Sequence, residues 1–368
     1  MSKQMNRRDF IKASAMVGGL SVLPVQFSSC SPGNDANFLS VPAEYDIFFK
    51  FKAPKEILRF ECFRLNESFP KADSQKIWLM SSVLTIFQGL INRVQPRVYL
   101  KHSKDAVDWL SIYQRDGHKF QIEDVSDFNA LISRFAGELD GYVILDPNML
   151  HSLNVAQTLA SLENLMVITP DMEALVEKTG LKKKEDLRDR WQGRVPAYDW
   201  AFENLFPKCS KHIVGDCCVD FPYAPSGGSF LIRDFLVANQ ALTVDLSAAY
   251  RQRKEYRLLD KIYAQMELPG GVWGWHDSRD HEHWAVERAS RKGLYTICAT
   301  AANFSVHGAI IPNDKSIPRQ KESPRKARIA EKDKVYIAFM MTDGDSLWAM
   351  ESLQKGNWGP NQLKDFAM

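Results

Sequence analysis

YVILDPNMLHSLNVAQTLASLENLMVI, residues 142–168, places two short apolar runs on either side of a segment with helical periodicity. The runs, Tyr142–Leu145 and Met166–Ile168, are apolar at every position, which is typical of parallel strands that are buried on both faces. Leu150–Leu162, between them, has apolar residues at helical spacing. A strand, a helix and a second strand in this order form the repeating unit of a parallel sheet, so the stretch predicts an α/β fold.

The same alternation extends along the N-terminal half and predicts small α/β modules over residues 48–207. The segments that carry it are the apolar run Arg97–Leu100, the helical patterns Gln75–Asn92, Ala106–Tyr113 and Phe128–Phe135, and a short helix that begins at Pro170. Asp73 or Ser74 is placed to cap the helix over Gln75–Asn92, which we expect to be half-buried. The basic stretch that ends near Arg194 is predicted as surface helix and loop.

A second series of predicted strands and helices occupies residues 208–368. Its segments are strands at Ile213–Val214, Val272–Trp275, Leu294–Ala299 and Val335–Met341, and helices over 230–242 and around Tyr256–Met266. We interpret it as the start of a (β/α) barrel-like domain, in which the carboxyl ends of all strands meet at one rim. Residues that follow each strand are then expected to converge.

The N-terminus has the pattern of an export signal. Residues 6–12, NRRDFIK, form a twin-arginine pattern, and the uncharged run Ala13–Val25 has the length of a signal segment rather than of a membrane span. Small residues precede Cys30, which is the predicted site of lipid attachment, and residues 31–47 form a tether. The alternative is a basic amphipathic N-terminus of a cytoplasmic protein. We expect an exported lipoprotein in the periplasm or the outer membrane, including the cell surface.

Composition and charge are those of an ordinary globular protein. The chain has 368 residues, 45% of them hydrophobic and 25% charged, with a formal net charge of +2. That balance provides no electrostatic argument for nucleic-acid binding. The basic runs Lys182–Lys184 and 319–332 lack interleaved aromatic residues and are interpreted as solvated surface.

The cysteines form no metal-binding pattern, since neither a CxxC pair nor a Cys/His ligand spacing is present. With Cys30 assigned to lipid, five cysteines remain: Cys62, Cys209, Cys217, Cys218 and Cys298. We interpret them first as buried apolar residues, with one disulfide within the group Cys209, Cys217 and Cys218 as the alternative.

Two aspartates provide the sharpest chemical signal. Asp343 and Asp345 flank Gly344 directly after the apolar run Val335–Met341. Paired carboxylates can have their pKa values separated so that one donates and one accepts a proton, as glycosidic cleavage requires. Asp277 or Glu282, after another predicted strand, is the alternative partner. The alternative interpretation of the Asp-Gly-Asp segment is a turn in which an aspartate caps the next helix.

Aromatic and polar residues near the same predicted strand ends are candidates for substrate binding. Flat indole faces stack on the apolar faces of sugars, and amide or imidazole groups hydrogen-bond to hydroxyls. The candidates are Trp273, Trp275, His276, Asn303, His307 and Trp348. For the tryptophans the alternative is packing in the core; for His307 it is a buried, satisfied histidine, and for Asn303 a helix cap.

Metal binding is a further interpretation of this region, because Asp343, Asp345, His276 and His281 offer oxygen and nitrogen ligands. The histidines have no recognised ligand spacing, so we interpret them as solvated loop residues. The sequence therefore predicts neither a metal site nor another cofactor.

The chain resembles the GxGYxYP family of secreted Bacteroidetes proteins, which are classed as glycoside hydrolase-like. The resemblance is carried by Arg233–Leu246 (RDFLVANQALTVDL), Gly271–Trp275, Ala301–His307 and Phe339–Leu347 (FMMTDGDSL). It implies a hydrolase label that was inferred from fold. The family's Gly-x-Gly-Tyr-x-Tyr-Pro motif is not in this sequence and lies further towards the C-terminus in the family, so we expect the chain to be a C-terminally truncated member.

These observations together predict a glycoside hydrolase that acts on extracytoplasmic polysaccharide by carboxylate acid/base catalysis. The fragment itself is expected to be inactive. A non-catalytic, lipid-anchored glycan-binding protein is the first alternative, and a metal-dependent carbohydrate esterase or deacetylase is the second. The expected partners are a polysaccharide or oligosaccharide and, through the lipid anchor, a membrane.

Overall fold

Parallel strands and the helices that connect them form three successive modules in a computed structural model of the chain. The structure describes residues 51–104, 106–220, 231–275, 282–297 and 301–310. All of them belong to one compact unit. The α/β class predicted from the sequence is confirmed.

The first module, residues 56–135, contains a three-stranded parallel sheet. Its strands are β1 (Glu56–Glu61), β2 (Val98–Lys101) and β3 (Gln121–Val125), in the order β2-β1-β3. Its helices are α1 (Leu65–Ser68), α2 (Ser74–Asn92), α3 (Trp109–Arg115) and α4 (Phe128–Phe135). The Asp73 side chain accepts a hydrogen bond of 2.8 Å from the Lys76 amide, so the predicted cap of α2 is confirmed.

The second module, residues 141–204, has the same strand order. Its strands are β4 (Gly141–Ile144), β5 (Leu165–Ile168) and β6 (Lys183–Asp186), in the order β5-β4-β6. Its helices are α5 (Ser152–Glu163), α6 (Glu173–Glu177) and α7 (Arg194–Asn204). The stretch 142–168 therefore forms the strand, helix and strand that were predicted.

The third module, residues 213–307, contains a four-stranded parallel sheet. Its strands are β7 (Ile213–Cys217), β8 (Leu242–Val244), β9 (Gly271–Trp275) and β10 (Tyr295–Ile297), in the order β10-β9-β7-β8. Its helices are α8 (Arg233–Ala238), α9 (Arg253–Ala264), α10 (Glu282–Ser290) and α11 (Phe304–His307). A barrel would place β8 between β7 and β9, but β9 pairs directly with β7. Within the described residues the sheet is thus open, and the barrel-like arrangement expected for this segment is wrong.

Two segments differ from the predicted secondary structure for local reasons. The charged stretch Lys183–Asp186 is a strand, because it pairs with β4 at the edge of its sheet and can expose charged side chains there. The helix predicted over 230–242 ends early, since Gln240 adopts a left-handed conformation with φ 51° and turns the chain into β8.

Helix α2 is the element that the modules share. It is buried at every position from Ser82 to Asn92, rather than half-buried as predicted, because α8 of the third module packs along it. At the point of closest approach, a Cβ atom on Gly89 would lie 2.5 Å from the carbonyl oxygen of Asp234. A glycine is therefore required where the two helices cross.

The described cysteines agree with the first interpretation given above. Cys62, Cys209, Cys217 and Cys218 are all buried. None of the described helices is both long enough and apolar enough to cross a lipid bilayer.

Candidate functional site

The strand order of the third module creates a point at which the chain changes direction. From β7 the chain passes first to β8 on one side and then to β9 on the other. In open parallel sheets, ligands bind in the crevice outside the carboxyl ends of the strands at such a switch point. The switch point lies between β7 and β9, and the carboxyl end of β8, on the other side of β7, is at the same edge of the sheet, which is where a functional site is expected.

Three side chains that can exchange protons or bind metal meet at these strand ends. His151 lies after β4 at the start of α5, Asp220 follows β7 and Asp245 directly follows β8. The Nε2 atom of His151 is 3.6 Å from Oδ1 of Asp220 and 3.7 Å from Oδ2 of Asp245. All three donor atoms lie within 4.8 Å of one another. We call this group the His-Asp-Asp cluster.

The cluster is only partly accessible to solvent. The side chain of Asp220 is 24% exposed, that of His151 is 14% exposed and that of Asp245 is 2% exposed. A ligand that approached from solvent would meet Asp220 and His151 first, with Asp245 behind them.

Arg194, at the start of α7, holds the side of both carboxylates that faces away from His151. Its Nη2 atom is 3.1 Å from Oδ2 of Asp220, and its Nη1 atom is 3.8 Å from Oδ1 of Asp245. Burial by itself lowers the pKa of Arg194, but Asp245, Asp220 and Glu255 together outweigh it and raise that pKa. The guanidinium therefore stays charged and fixes both carboxylates.

Further contacts hold the cluster from the protein side. The backbone amide of Val219 donates to Oδ2 of Asp245 at 3.1 Å. The ring of Tyr198 packs edge-on against the His151 ring, with centroids 5.9 Å apart. Burial, with a contribution from Asp245, raises the pKa of Tyr198 well above its ordinary value, so this hydroxyl keeps its proton.

A buried arginine lies in the layer beneath. Arg233 is fully buried, and its Nη1 donates to Oδ1 of Asn154 at 2.8 Å and to Oε1 of Gln157. Asn154 in turn donates to the Tyr198 hydroxyl at 3.0 Å and to the carbonyl of Cys217 at 2.9 Å. This layer connects α8, α5 and the end of β7, and so fixes the relative positions of the elements that carry the His-Asp-Asp cluster.

Two of the residues predicted to bind substrate have structural roles instead. Asn303 is buried; its Oδ1 accepts from Gln88 at 2.6 Å and from the Leu100 amide at 2.8 Å, and its Nδ2 donates to the Leu100 carbonyl at 3.0 Å. His307 Nδ1 is 2.7 Å from the Tyr113 hydroxyl, and burial lowers its pKa. Both side chains join the third module to the first, so the binding roles predicted for them are wrong.

Trp273 also belongs to the packing of the sheet. Its ring centroid lies 4.9 Å from that of Phe235 and 6.4 Å from that of Tyr295. This arrangement corresponds to the core alternative rather than to an open sugar platform.

Trp275 ends β9 opposite Cys217, at the switch point itself, and Glu282 is exposed in the first turn of α10. The roles predicted for these two residues stay predictions.

The other predicted site residues lie outside the described part of the chain. They are Cys30, His276, Asp277, Asp343, Asp345 and Trp348.

Asp220 and Asp245 were missed although the sequence held a signal for them. Each follows an apolar strand, in VGDCCVD and LTVDL, as Asp343 follows its predicted strand. The sequence analysis predicts no strand at β8, because its helix over 230–242 runs to the first residue of that strand, and it places His151 inside the helical pattern Leu150–Leu162.

Sequence comparison identifies the class of protein that this architecture represents. Models of three successive domains match in order: GxGYxYP_N 1st domain at residues 72–137, GxGYxYP_N second domain at 139–209 and GxGYxYP third domain at 223–309. The chain is an α/β protein of consecutive parallel-sheet modules. It belongs to the GxGYxYP family, which confirms the resemblance noted in the sequence.

One solved structure has a similar fold. It is the crystal structure of "a putative hydrolase from Bacteroides thetaiotaomicron VPI-5482", with a TM-score of 0.57 and 17% sequence identity. The match covers 83% of this chain and 55% of that one, so this chain spans about half the length of the protein it resembles. At this identity the similarity establishes the fold alone. No significant match was found among curated proteins.

Proposed function

We propose that the protein is a hydrolase that acts on polysaccharide outside the cytoplasm, with its acid/base groups at the carboxyl ends of the third sheet. The observation that carries the proposal is the convergence of His151, Asp220 and Asp245 outside the carboxyl ends of β7 and β8 of that sheet. Membership of the GxGYxYP family and the name of the structurally similar protein support the same reaction class.

The cluster offers the groups that glycosidic hydrolysis needs. Asp220, the more exposed carboxylate, is paired with Arg194 and acts in its ionised form as base or nucleophile. His151 lies next to it and can donate a proton to a leaving group. Asp343 and Asp345 belong to the same proposal, because the sequence pairs these two carboxylates after the apolar run Val335–Met341.

The proposal is tested with the natural full-length protein, by measuring release of reducing sugar from a panel of polysaccharides. We expect Asp220→Asn, and one of Asp343→Asn and Asp345→Asn, to lower the rate by at least about 100-fold. Asp199→Asn, on the exposed side of α7, is the matched control. Unchanged rates in all three site variants would remove these carboxylates from the mechanism.

A metal-dependent carbohydrate esterase or deacetylase is the second candidate. It is favoured by the meeting of one histidine nitrogen with two carboxylates, since a metal ion held there would activate a water molecule. This candidate differs from the first in its product, acetate rather than a reducing sugar, and in its loss of activity on treatment with a chelator.

A glycan-binding protein without catalytic activity is favoured by a separate cleft. The cleft has a volume of about 250 Å³ and is lined by Tyr250, Trp284 and Arg288, among other residues of α9 and α10. Aromatic rings beside charged groups suit the two faces of a sugar. Calorimetric binding of oligosaccharide that depends on Tyr250, without any product, would favour this function over hydrolysis.

Export and lipid attachment are part of the proposal and rest on the N-terminal sequence pattern. We expect the chain expressed in a host with twin-arginine export and lipoprotein processing to incorporate labelled fatty acid and to fractionate with membranes. Cys30→Ala should abolish the label but not the export, and Arg7→Lys with Arg8→Lys should abolish both. Persistence of the label in Cys30→Ala would contradict the assignment.

A further inference from the structure

We propose that His151, Asp220 and Asp245 form a binding site for a divalent transition-metal ion, with Zn²⁺ as the best fit. The site rests on geometry alone, and it favours the metal-dependent candidate, because a bound ion would occupy the atoms of His151 and Asp220 that the glycosidic mechanism uses. If the protein bound zinc but hydrolysed no polysaccharide, the proposed activity would be ruled out, whereas the proposed metal site would stand.

The donor atoms have the spacing that a single ion requires. The nitrogen of His151 is 3.6 Å and 3.7 Å from the nearer oxygens of the two aspartates, and no two of the three donor atoms are further apart than 4.8 Å. Zinc binds nitrogen at about 2.0–2.1 Å and carboxylate oxygen at about 2.0–2.2 Å, which places its ligands roughly 3–4 Å apart. An ion between these atoms would need small side-chain adjustments only.

The two oxygens of each carboxylate have different nearest partners. Oδ1 of Asp220 and Oδ2 of Asp245 are nearest to His151, whereas Oδ2 of Asp220 and Oδ1 of Asp245 are nearest to Arg194. Each of the oxygens nearest to His151 also accepts one hydrogen bond, Oδ1 of Asp220 from Arg194 at 3.4 Å and Oδ2 of Asp245 from the Val219 amide at 3.1 Å, and a carboxylate oxygen has a second lone pair for an ion. Carboxylates that bind metal are commonly oriented by a hydrogen bond to the oxygen away from the ion.

The proposed ligands are held in place by contacts within the protein that do not require a bound ion. Asp245 is held by the Val219 amide, and His151 is packed against Tyr198. Arg194 is itself balanced by Glu255, whose Oε2 is 3.7 Å from Nη1 and accepts from the Ser247 amide at 2.8 Å. A framework that is rigid before binding loses little entropy when the ion enters.

The charge around the cluster favours a cation. Asp220, Asp245 and Glu255 contribute three negative charges, against the guanidinium groups of Arg194 and the deeper Arg233. These carboxylates and guanidinium groups together leave an excess of negative charge in a partly buried place, where electrostatic interactions are screened less than at the surface. The mixture of one imidazole and two carboxylates suits zinc or manganese better than calcium.

The described residues offer three protein ligands, which is the number found in zinc sites that keep one position for water. A water molecule bound at that position would either be displaced by the substrate or be activated to attack it.

The test is titration of the chelator-treated chain with ZnCl₂ by isothermal calorimetry, without substrate. We expect one ion per chain, and at least a tenfold loss of affinity in both His151→Ala and Asp245→Asn. His212→Ala is the matched control, because Nε2 of His212 is also close to a carboxylate, 3.6 Å from Oε2 of Glu267, but within the described residues His212 belongs to no group of three metal-binding side chains. It should bind zinc as the parent chain does.

Thermal unfolding provides an independent readout, because an ion that binds only the folded state raises the midpoint temperature. The rise on adding zinc should be present in the parent and in His212→Ala and absent in both cluster variants, whose folding is checked by circular dichroism. Zinc binding that survives both cluster substitutions, or no zinc binding by the parent chain, would overturn the assignment.

Discussion

Gly89→Ala is expected to lower the free energy of unfolding by about 3 kcal/mol, although alanine is the better helix former. The added Cβ would lie 2.5 Å from the carbonyl oxygen of Asp234 and 2.8 Å from Cβ of Val237. Both atoms belong to α8 and neither is the end of a flexible side chain. The helices would have to separate along a contact that is buried on both sides, which costs more than the gain in helix propensity.

Gly137→Ala provides the control for this substitution. Gly137 lies in the short 3₁₀ helix Ala136–Glu138, and a Cβ there would have no neighbour within 4 Å. Its effect should stay within about 0.5 kcal/mol. Urea unfolding followed by circular dichroism measures both variants, and equal stability of Gly89→Ala and the parent would contradict the close contact between α2 and α8.

The sequence predicted two strands of the second module whose burial is complete. Tyr142–Ile144 and Met166–Ile168 are buried at every position, and a continuous apolar run was a sufficient signal for each strand. Two strands with exposed side chains gave no such signal. Gln121–Val125 and Lys183–Asp186 are largely polar, and only pairing with a neighbour identifies them.

The location of the candidate site could be predicted from the sequence, but not every residue that forms it. The rule that acids after parallel strands converge holds for Asp220 and Asp245, and would have found them had β8 been recognised. The contribution of His151 could not be inferred, because it comes from a different module and meets the aspartates only through packing. Asn303 shows the opposite error: a polar residue after a strand was assigned to a ligand, whereas its amide is used entirely by Gln88 and Leu100.

The pH dependence of stability should contain a component from Asp234, a fully buried carboxylate on α8. Burial raises its pKa to about 6, although hydrogen bonds from the Ser305 amide at 2.8 Å and hydroxyl at 2.7 Å act in the opposite direction. The folded state therefore holds a proton over the range of about pH 4 to 6, in which the unfolded chain has already released it. Stability is greatest at the acidic end of this range and falls as the pH rises through 6, by roughly 3 kcal/mol for this group.

Asp234→Asn isolates this component, because its amide oxygen can still accept both hydrogen bonds from Ser305 and cannot ionise. We expect the variant to be more stable than the parent by about 1–3 kcal/mol at pH 7.5, and nearly equal to it at pH 4.5. Asp199→Asn, which changes an exposed aspartate of α7, should follow the parent at both pH values. Urea unfolding at the two pH values measures the difference. A variant Asp234→Asn that was less stable than the parent at pH 7.5 would contradict this prediction. It would mean that the hydrogen bonds from Ser305 stabilise the ionised carboxylate, at the junction of α8 and α11, by more free energy than its burial costs.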